Sequence, residues 1–287
     1  MIITTGPGGP SARPLPVAAS LDNLGVVRIA RFSPPGSAEQ TPAFGIVEGS
    51  PGEETVAEID GHPFAAFTFT GERHALADVR LLAPVLPSKV VAIGKNYAAH
   101  AAEMGSDLPP NPTIFLKPST AVIGPGDPIA YPPSSTRVDY EGELAIVVGR
   151  LCRDVPEGRA ADVILGYTCA NDVTARDQQA ADGQWSRAKG YDTFCPLGPW
   201  IETDLDPSDV ELVTRLQGEV KQQSRTSLLV HPVPKLVAYI TAVMTLLPGD
   251  VILTGTPAGI GPMEVGDEVS VTVEGIGTLA NRVVARA

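Results

Sequence analysis

Asp139, Glu141 and Glu143 recur at every second position in RVDYEGELAIVVGR, residues 137–150. Side chains at i, i+2 and i+4 of a strand lie on one face, so three like charges would share it. Such a face is either solvated or set against something positive. Hard divalent cations such as Mg²⁺ or Mn²⁺ take oxygen ligands from a few carboxylates and keep other positions for water or substrate. Glu141 and Glu143 could supply two of those ligands, and Gly142 between them leaves the opposite face bare for close packing. For E-x-E by itself, a solvated strand is the competing reading.

Three further stretches carry chemistry. CANDVTARDQQ, residues 169–179, sets Asn171, Asp172, Arg176 and Asp177 directly after an apolar run, where a third acidic ligand would sit. HAAE places His100 and Glu103 at i, i+3, so that on a helix they meet on one face. A carboxylate beside an imidazole raises its basicity and orients the ring, as a general base requires. The competing reading is an ordinary exposed pair. Gly105 and the Pro109, Pro110 pair follow, which suits a mobile lid. Lys189 lies in WSRAKGYDTFCPLGPW, residues 185–200, among aromatics and glycines. A partly buried lysine there could stabilise an enolate or a carboxylate, whereas an ordinary surface lysine would do nothing.

These residues need elements to hold them. The run at 144–148 is apolar throughout, the mark of a buried strand. Further strands are expected at residues 90–93, in TIFLKP (113–118) and in VILGYTCANDV (163–173), with one or two helical turns at 97–104. Leu236, Ile240, Val243 and Leu247 recur at helical spacing, which predicts a helix over 236–247 ended by Pro248 and Gly249. Near the C-terminus, PGDVILTG, VGDEVSVTVEG and GTLANRVVAR alternate with glycine turns and read as strands. Near the N-terminus, VVRIARF and AFGIVEG read as two strands of a small β unit extending to about residue 84. The strands are not evenly separated by helices, so a regular βαβ sheet is not expected. The fold class is α+β, mainly β: residues 1–25 a loose extension, 26–84 a small N-terminal β domain, and 85–287 the catalytic domain.

Of 287 residues, 43% are hydrophobic, enough for a substantial core, and 29 glycines with 28 prolines suit many short strands joined by turns. A net charge of −12 without a basic stripe argues against nucleic acid. No apolar run approaches the roughly 20 residues that span a bilayer, and the N-terminus lacks the order of a secretory signal. Three scattered cysteines outside any C-x-x-C pair fit a reduced, cytoplasmic protein.

Taken in order, KVVAIGKNYAAHAAEMG, TIFLKPSTAVIGPGDPI, VDYEGELAIVVG, GYTCANDVTARDQQ, WSRAKGYDTFCPLGPW, LLPGDVILTGTPAGIG and VGDEVSVTVEGIGTLANRV resemble the fumarylacetoacetate hydrolase family over residues 86–284. The N-terminal unit is similar to that of bacterial two-domain members of the soluble oxaloacetate decarboxylase type. The resemblance implies a mixed β-roll catalytic domain and a homodimer. It also implies one Mg²⁺ or Mn²⁺ on Glu141, Glu143 and Asp172. His100 and Glu103 become the lid dyad and Lys189 the active-site lysine. Lys117, Gln179 and Thr256, in the turn 254–257, fall where relatives contact substrate oxygens. Asp139 has no ligand role in the family motif.

The implied activity is cleavage of a C–C bond in small anionic 2-oxo or 2,4-dioxo acids through a metal-stabilised enolate. Hydrolysis of an acylpyruvate or fumarylpyruvate is expected, with oxaloacetate-type decarboxylation alongside. The alternatives are the 2-hydroxyhepta-2,4-diene-1,7-dioate isomerase or 5-oxopent-3-ene-1,2,5-tricarboxylate decarboxylase chemistry of aromatic catabolism, and a non-catalytic binding protein on the same fold.

Overall fold

The computed structural model describes residues 27–36 and 42–286. The expected loose extension, residues 1–25, lies outside them. The strand Gly142–Val148 shows how the sequence builds the core. Every residue in it is buried, yet the two faces pack into different clusters. Leu144, Ile146 and Val148 join Val91, Ile93, Leu212, Leu236 and Ile240. Ala145 and Val147 join Val90, Ala92, Leu197, Ile201 and Leu253. Period-two alternation thus divides two apolar cores across one strand, and this is why the run is apolar at every position.

That strand lies in a 12-stranded sheet. It pairs antiparallel with Ile164–Asn171 on one side and Val251–Leu253 on the other. The sheet continues through Val90–Gly94, parallel to Val251–Leu253, and ends at Thr113–Lys117. In the other direction it passes through Cys195–Glu202 into the N-terminal strands Arg28–Ser33, Ala43–Glu48, Thr55–Gly61 and Phe67–Ala75. Arg28 and Ile29 pair with Glu202 and Ile201, so the N-terminal β region shares its sheet with the rest of the chain. A five-stranded sheet contains Glu219–Arg225, Glu211–Leu216, Glu268–Val273, Gly277–Ala285 and Ile129–Tyr131. The molecule is mainly β, with short helices, and none of the helices described is long and apolar enough to cross a membrane.

Two expectations are corrected. The alternating carboxylates do not lie on one continuous strand. Val138–Tyr140 belongs to a separate three-stranded sheet with Thr174–Ala175 and Gly261–Pro262, and the chain passes at Glu141 from that sheet into the large one. The crossing is held by hydrogen bonds that no local pattern shows. The Glu141 amide donates to Asn171 Oδ1 at 2.9 Å, and the Gly142 amide donates to Gln222 Oε1 at 2.9 Å. Only glycine fits at 142, because a Cβ there would lie 2.0 Å from Thr214 Oγ1.

The helix also differs from the expected 236–247. It spans Val233–Val243, starts beside Pro232 and Pro234, and buries Val233, Leu236, Val237 and Ile240. Met244 is extended, and Leu246 exchanges both backbone hydrogen bonds with Cys152. That tertiary pairing takes the last turn away from the helix and leaves Val243 and Leu247 exposed.

Candidate metal centre and catalytic cavity

The carboxylates come together from two chain segments. Glu141 and Glu143 come from the entry to one strand, and Asp172 follows its neighbour Ile164–Asn171, where the Asp172 amide donates to the Glu141 carbonyl at 2.8 Å. Glu141, Glu143 and Asp172 each offer an oxygen, and these oxygens all lie within 4.8 Å of one another. All three side chains are buried.

The opposing positive charge is present. Lys189, on the short helix Ser186–Lys189, donates to Glu141 Oε2 at 2.8 Å and also to Asp172. Arg176, which opens the helix Arg176–Asp182, bridges Asp139 and Glu141. Arg137 closes on Asp139 from the other side at 2.8 Å. Asp139 is therefore fully buried in a guanidinium clamp, apart from the convergent triad. Lys117 reaches Asp172 Oδ1 at 2.5 Å and the Val173 carbonyl at 3.3 Å.

The electrostatics separate the three acids. Burial opposes ionisation of Glu141, but Lys189 and Arg176, with His100 nearby, overcome it and hold its carboxyl far below the usual range. Glu143 goes the other way: burial, then the charges of Asp172 and Glu141, push it well above the ordinary carboxylate value. Against this, the Gly255 amide donates to its Oε2 at 2.6 Å. Lys189 stays protonated despite complete burial, because Asp172 and Glu141 outweigh its desolvation.

This donor set fits a hard divalent cation. It offers oxygen ligands alone, converging, with one buried carboxyl that has no salt-bridge partner among the described residues. A cation on Glu141, Glu143 and Asp172 would supply the charge that Glu143 lacks.

A cavity of about 340 Å³ opens onto the triad. His100 lines it from the helix Ala98–Glu103. Its Nδ1 is 3.3 Å from Glu103 Oε2, and Glu103 is itself fixed by the Gly259 amide at 3.0 Å. Lys189, Gln179 and Thr256 also line the cavity. Gln179 Oε1 accepts from Arg176 at 2.6 Å. Thr256 donates to the Gly142 carbonyl at 2.9 Å and accepts from Gln222 at 2.8 Å. Lys117, expected to contact substrate, sets its ammonium on Asp172 and the Val173 carbonyl and is not among the residues that line this cavity.

Several contributions were not read from the sequence. Arg176 was named in its motif without a role, although three alternating acids called for a nearby cation. Trp185 and Phe115 form an apolar wall, edge to face at 5.1 Å, and the Lys189 ammonium sits 5.0 Å from the Phe115 ring. Nothing local in the sequence marked these rings as neighbours.

Two family models match the chain. The fumarylacetoacetate (FAA) hydrolase C-terminal model matches residues 89–284, and the Rv2993c-like N-terminal model matches residues 27–84. The chain belongs to the fumarylacetoacetate hydrolase family. It is 59% identical over 266 residues to protein Rv2993c of Mycobacterium tuberculosis, covering 91% of this chain and 99% of that one. It is 40% identical over 220 residues to the mitochondrial oxaloacetate tautomerase Fahd2a of Rattus norvegicus, covering 72% and 70%.

Among solved structures, the 5-carboxymethyl-2-hydroxymuconate delta-isomerase of Mycobacterium smegmatis shares 60% identity with a TM-score of 0.83, over 90% of this chain and 100% of that one. The maleylpyruvate hydrolase of Sphingobium sp. SYK-6, in complex with manganese (II) ion and pyruvate, shares 32% identity with a TM-score of 0.74, over 91% and 100%. Fumarylacetoacetate hydrolase family enzymes with isomerase, hydrolase and tautomerase descriptions therefore surround this chain, and its acidic triad is a possible metal site.

Proposed function

We propose that this protein is a divalent-metal-dependent enzyme that cleaves a C–C bond in small 2-oxo or 2,4-dioxo acids, as an acylpyruvate-type hydrolase with oxaloacetate decarboxylation as a related activity. The observation that carries the reading is a carboxylate triad, a buried lysine and His100 lining one cavity, with Glu103 on the His100 ring. Glu141, Glu143 and Asp172 would hold Mg²⁺ or Mn²⁺, which when bound supplies Lewis acidity toward the 2-oxo and carboxylate oxygens of a substrate.

The chain's own residues do the rest. Lys189 holds a fixed positive charge beside the triad, where negative charge develops as the substrate is cleaved. Glu103 occupies His100 Nδ1 and leaves Nε2 to take a proton from an attacking water. Trp185 and Phe115 exclude solvent from one side. Gln179 and Thr256 line the remaining polar wall.

A panel of oxaloacetate, acetylpyruvate, fumarylpyruvate and a 2-hydroxy-2,4-dienedioate, assayed with Mg²⁺, with Mn²⁺ and with a chelator, tests the reading. Hydrolysis that needs metal and falls in His100→Ala by roughly 10²–10⁴, the usual cost of losing a general base, supports it. Decarboxylation needs no attacking water and should fall much less. Turnover of the dienedioate alone would favour isomerisation, the second reading, which the 60% identity to a chain described as an isomerase supports.

A further inference from the structure

Every cation in direct contact with the acidic cluster is already committed. Arg176 holds Asp139 and Glu141, Lys189 holds Glu141 and Asp172, Lys117 holds Asp172, and Arg137 holds Asp139. One further cation lines the cavity, Lys95. It is half-buried, and among the described residues it forms no ion pair and no side-chain hydrogen bond.

Its backbone is unusual as well. Lys95 has φ of 58°, and of the four described non-glycine residues at positive φ it alone lines this cavity. A left-handed conformation at an ordinary residue costs free energy and persists only where the surroundings over-determine it. They do so here. Gly94, the preceding residue, passes so close to Trp185 that a Cβ would lie 2.5 Å from its ring. Asn96, the following residue, donates to the carbonyls of His231 and Thr254 at 3.0 and 2.7 Å and accepts from the His231 amide at 2.8 Å. The fold thus fixes the stem of a lysine at the cavity wall and, among the described residues, gives its charge no partner.

We propose that Lys95 recognises a second anionic group on the substrate, so that the site selects 2-oxo acids carrying a carboxylate at the far end over those ending in a methyl group. This rests on the reading of the triad as the place where the 2-oxo-acid end is held. The near end of such a molecule faces Lys189 and the triad. The middle passes the Trp185 and Phe115 wall. The far carboxylate meets the Lys95 ammonium, gaining a charge-assisted hydrogen bond in a partly desolvated cavity.

The test compares 2-oxoglutarate with 2-oxopentanoate, which have the same carbon chain and differ in the far carboxylate. Neither carries the 4-oxo group or adjacent carboxylate that the cleavage reaction needs. Each is titrated calorimetrically into the Mn²⁺-loaded protein. A hydrogen bond to a charged group corresponds to roughly a tenfold to hundredfold preference for the diacid in the wild type. Lys95→Met should abolish that preference and leave 2-oxopentanoate affinity unchanged, while Lys95→Arg should keep it. Should Lys95→Met fail to fold, Lys95→Asn serves, because asparagine tolerates positive φ.

A wild type without preference, a preference that survives in the neutral variants, or failure of both acids to bind would overturn the proposal. The catalytic panel separates this from the broader reading. Turnover with no diacid preference sinks Lys95 alone. A lysine-dependent preference without any C–C cleavage leaves Lys95 standing and sinks the cleavage.

Discussion

Glu143 is the acid in the cluster that makes no salt bridge among the described residues, and burial beside Asp172 and Glu141 pushes its carboxyl well up. Removing it has opposite consequences with and without metal. In metal-free protein, Glu143→Gln takes away a buried ionisable group and should leave thermal stability unchanged or raised. In the presence of Mn²⁺, the stabilisation gained by binding the native state should vanish; at 100 times the dissociation constant it is about 2.7 kcal/mol for an intact site. Paired thermal melts with and without Mn²⁺ read both effects, and an unchanged metal-induced shift would rule out Glu143 as a ligand. Arg176 predicts the reverse. It is the shared partner of Asp139 and Glu141, so Arg176→Leu leaves Asp139 to Arg137 and Glu141 to Lys189, takes one charge-assisted contact from each buried carboxylate, and should cost about 1–3 kcal/mol even without metal. Chemical denaturation of the metal-free variants distinguishes the two roles, because only Arg176→Leu should move the midpoint down.

Among the elements, the parallel strands Val90–Gly94 and Val251–Leu253 are joined at their starts by one buried carboxylate. Asp250 Oδ1 accepts from the Ser88 amide, the Ser88 hydroxyl and the Lys89 amide, and Oδ2 accepts from the Leu247 amide and the Lys89 ammonium. Burial opposes its charge, yet the Leu247 amide, Lys89 and Ser88 prevail and lower its pKa. A depressed carboxyl stabilises the fold above its unfolded value, and that contribution is lost as pH falls through the lower folded value. Stability measured by denaturant from pH 6 downward should therefore decline more steeply below about pH 4 in the wild type than in Asp250→Asn. Parallel curves would show that Asp250 does not carry this dependence. Strand existence was legible in the sequence because residues 144–148 are buried on both faces and apolar throughout. The strand break at Glu141 was not, because the acids alternate unbroken through it and the acceptors of the Glu141 and Gly142 amides, Asn171 and Gln222, are 30 and 80 residues away. The last helical turn failed for the same reason: Leu247 keeps helical spacing, but its neighbour Leu246 pairs with Cys152. Within the site, the convergence of Glu141, Glu143 and Asp172 and the His100–Glu103 contact could be read from motifs, whereas the Lys117 placement and the Trp185 wall depended on long-range packing.

At the scale of the whole molecule, the N-terminal β region and the residues around the cavity share one sheet and one core. Ile29, Ile46, Ile59 and Phe67 pack in the same cluster as Val90, Ala145, Leu197 and Leu253. The strand Cys195–Glu202 is the seam, paired with Arg28–Ser33 on one edge and Ile164–Asn171 on the other. A chain matched by two family models should therefore unfold as one cooperative unit, since neither part can open without exposing the shared core. The two tryptophans report on the two ends of that unit: Trp200 lies under the Arg28 guanidinium at 5.3 Å, beside the N-terminal strands, and Trp185 lines the cavity. Single-tryptophan proteins, made with Trp185→Phe and Trp200→Phe, should give denaturation curves that each coincide with circular dichroism of the same protein. Phe67→Ala, a fully buried ring in the N-terminal region, should cost about 3–5 kcal/mol and shift the Trp185 transition as far as the Trp200 transition. An earlier loss of the Trp200 signal, with the Trp185 midpoint held in place, would mean that the N-terminal β region melts on its own and that the shared sheet does not couple it to the cavity.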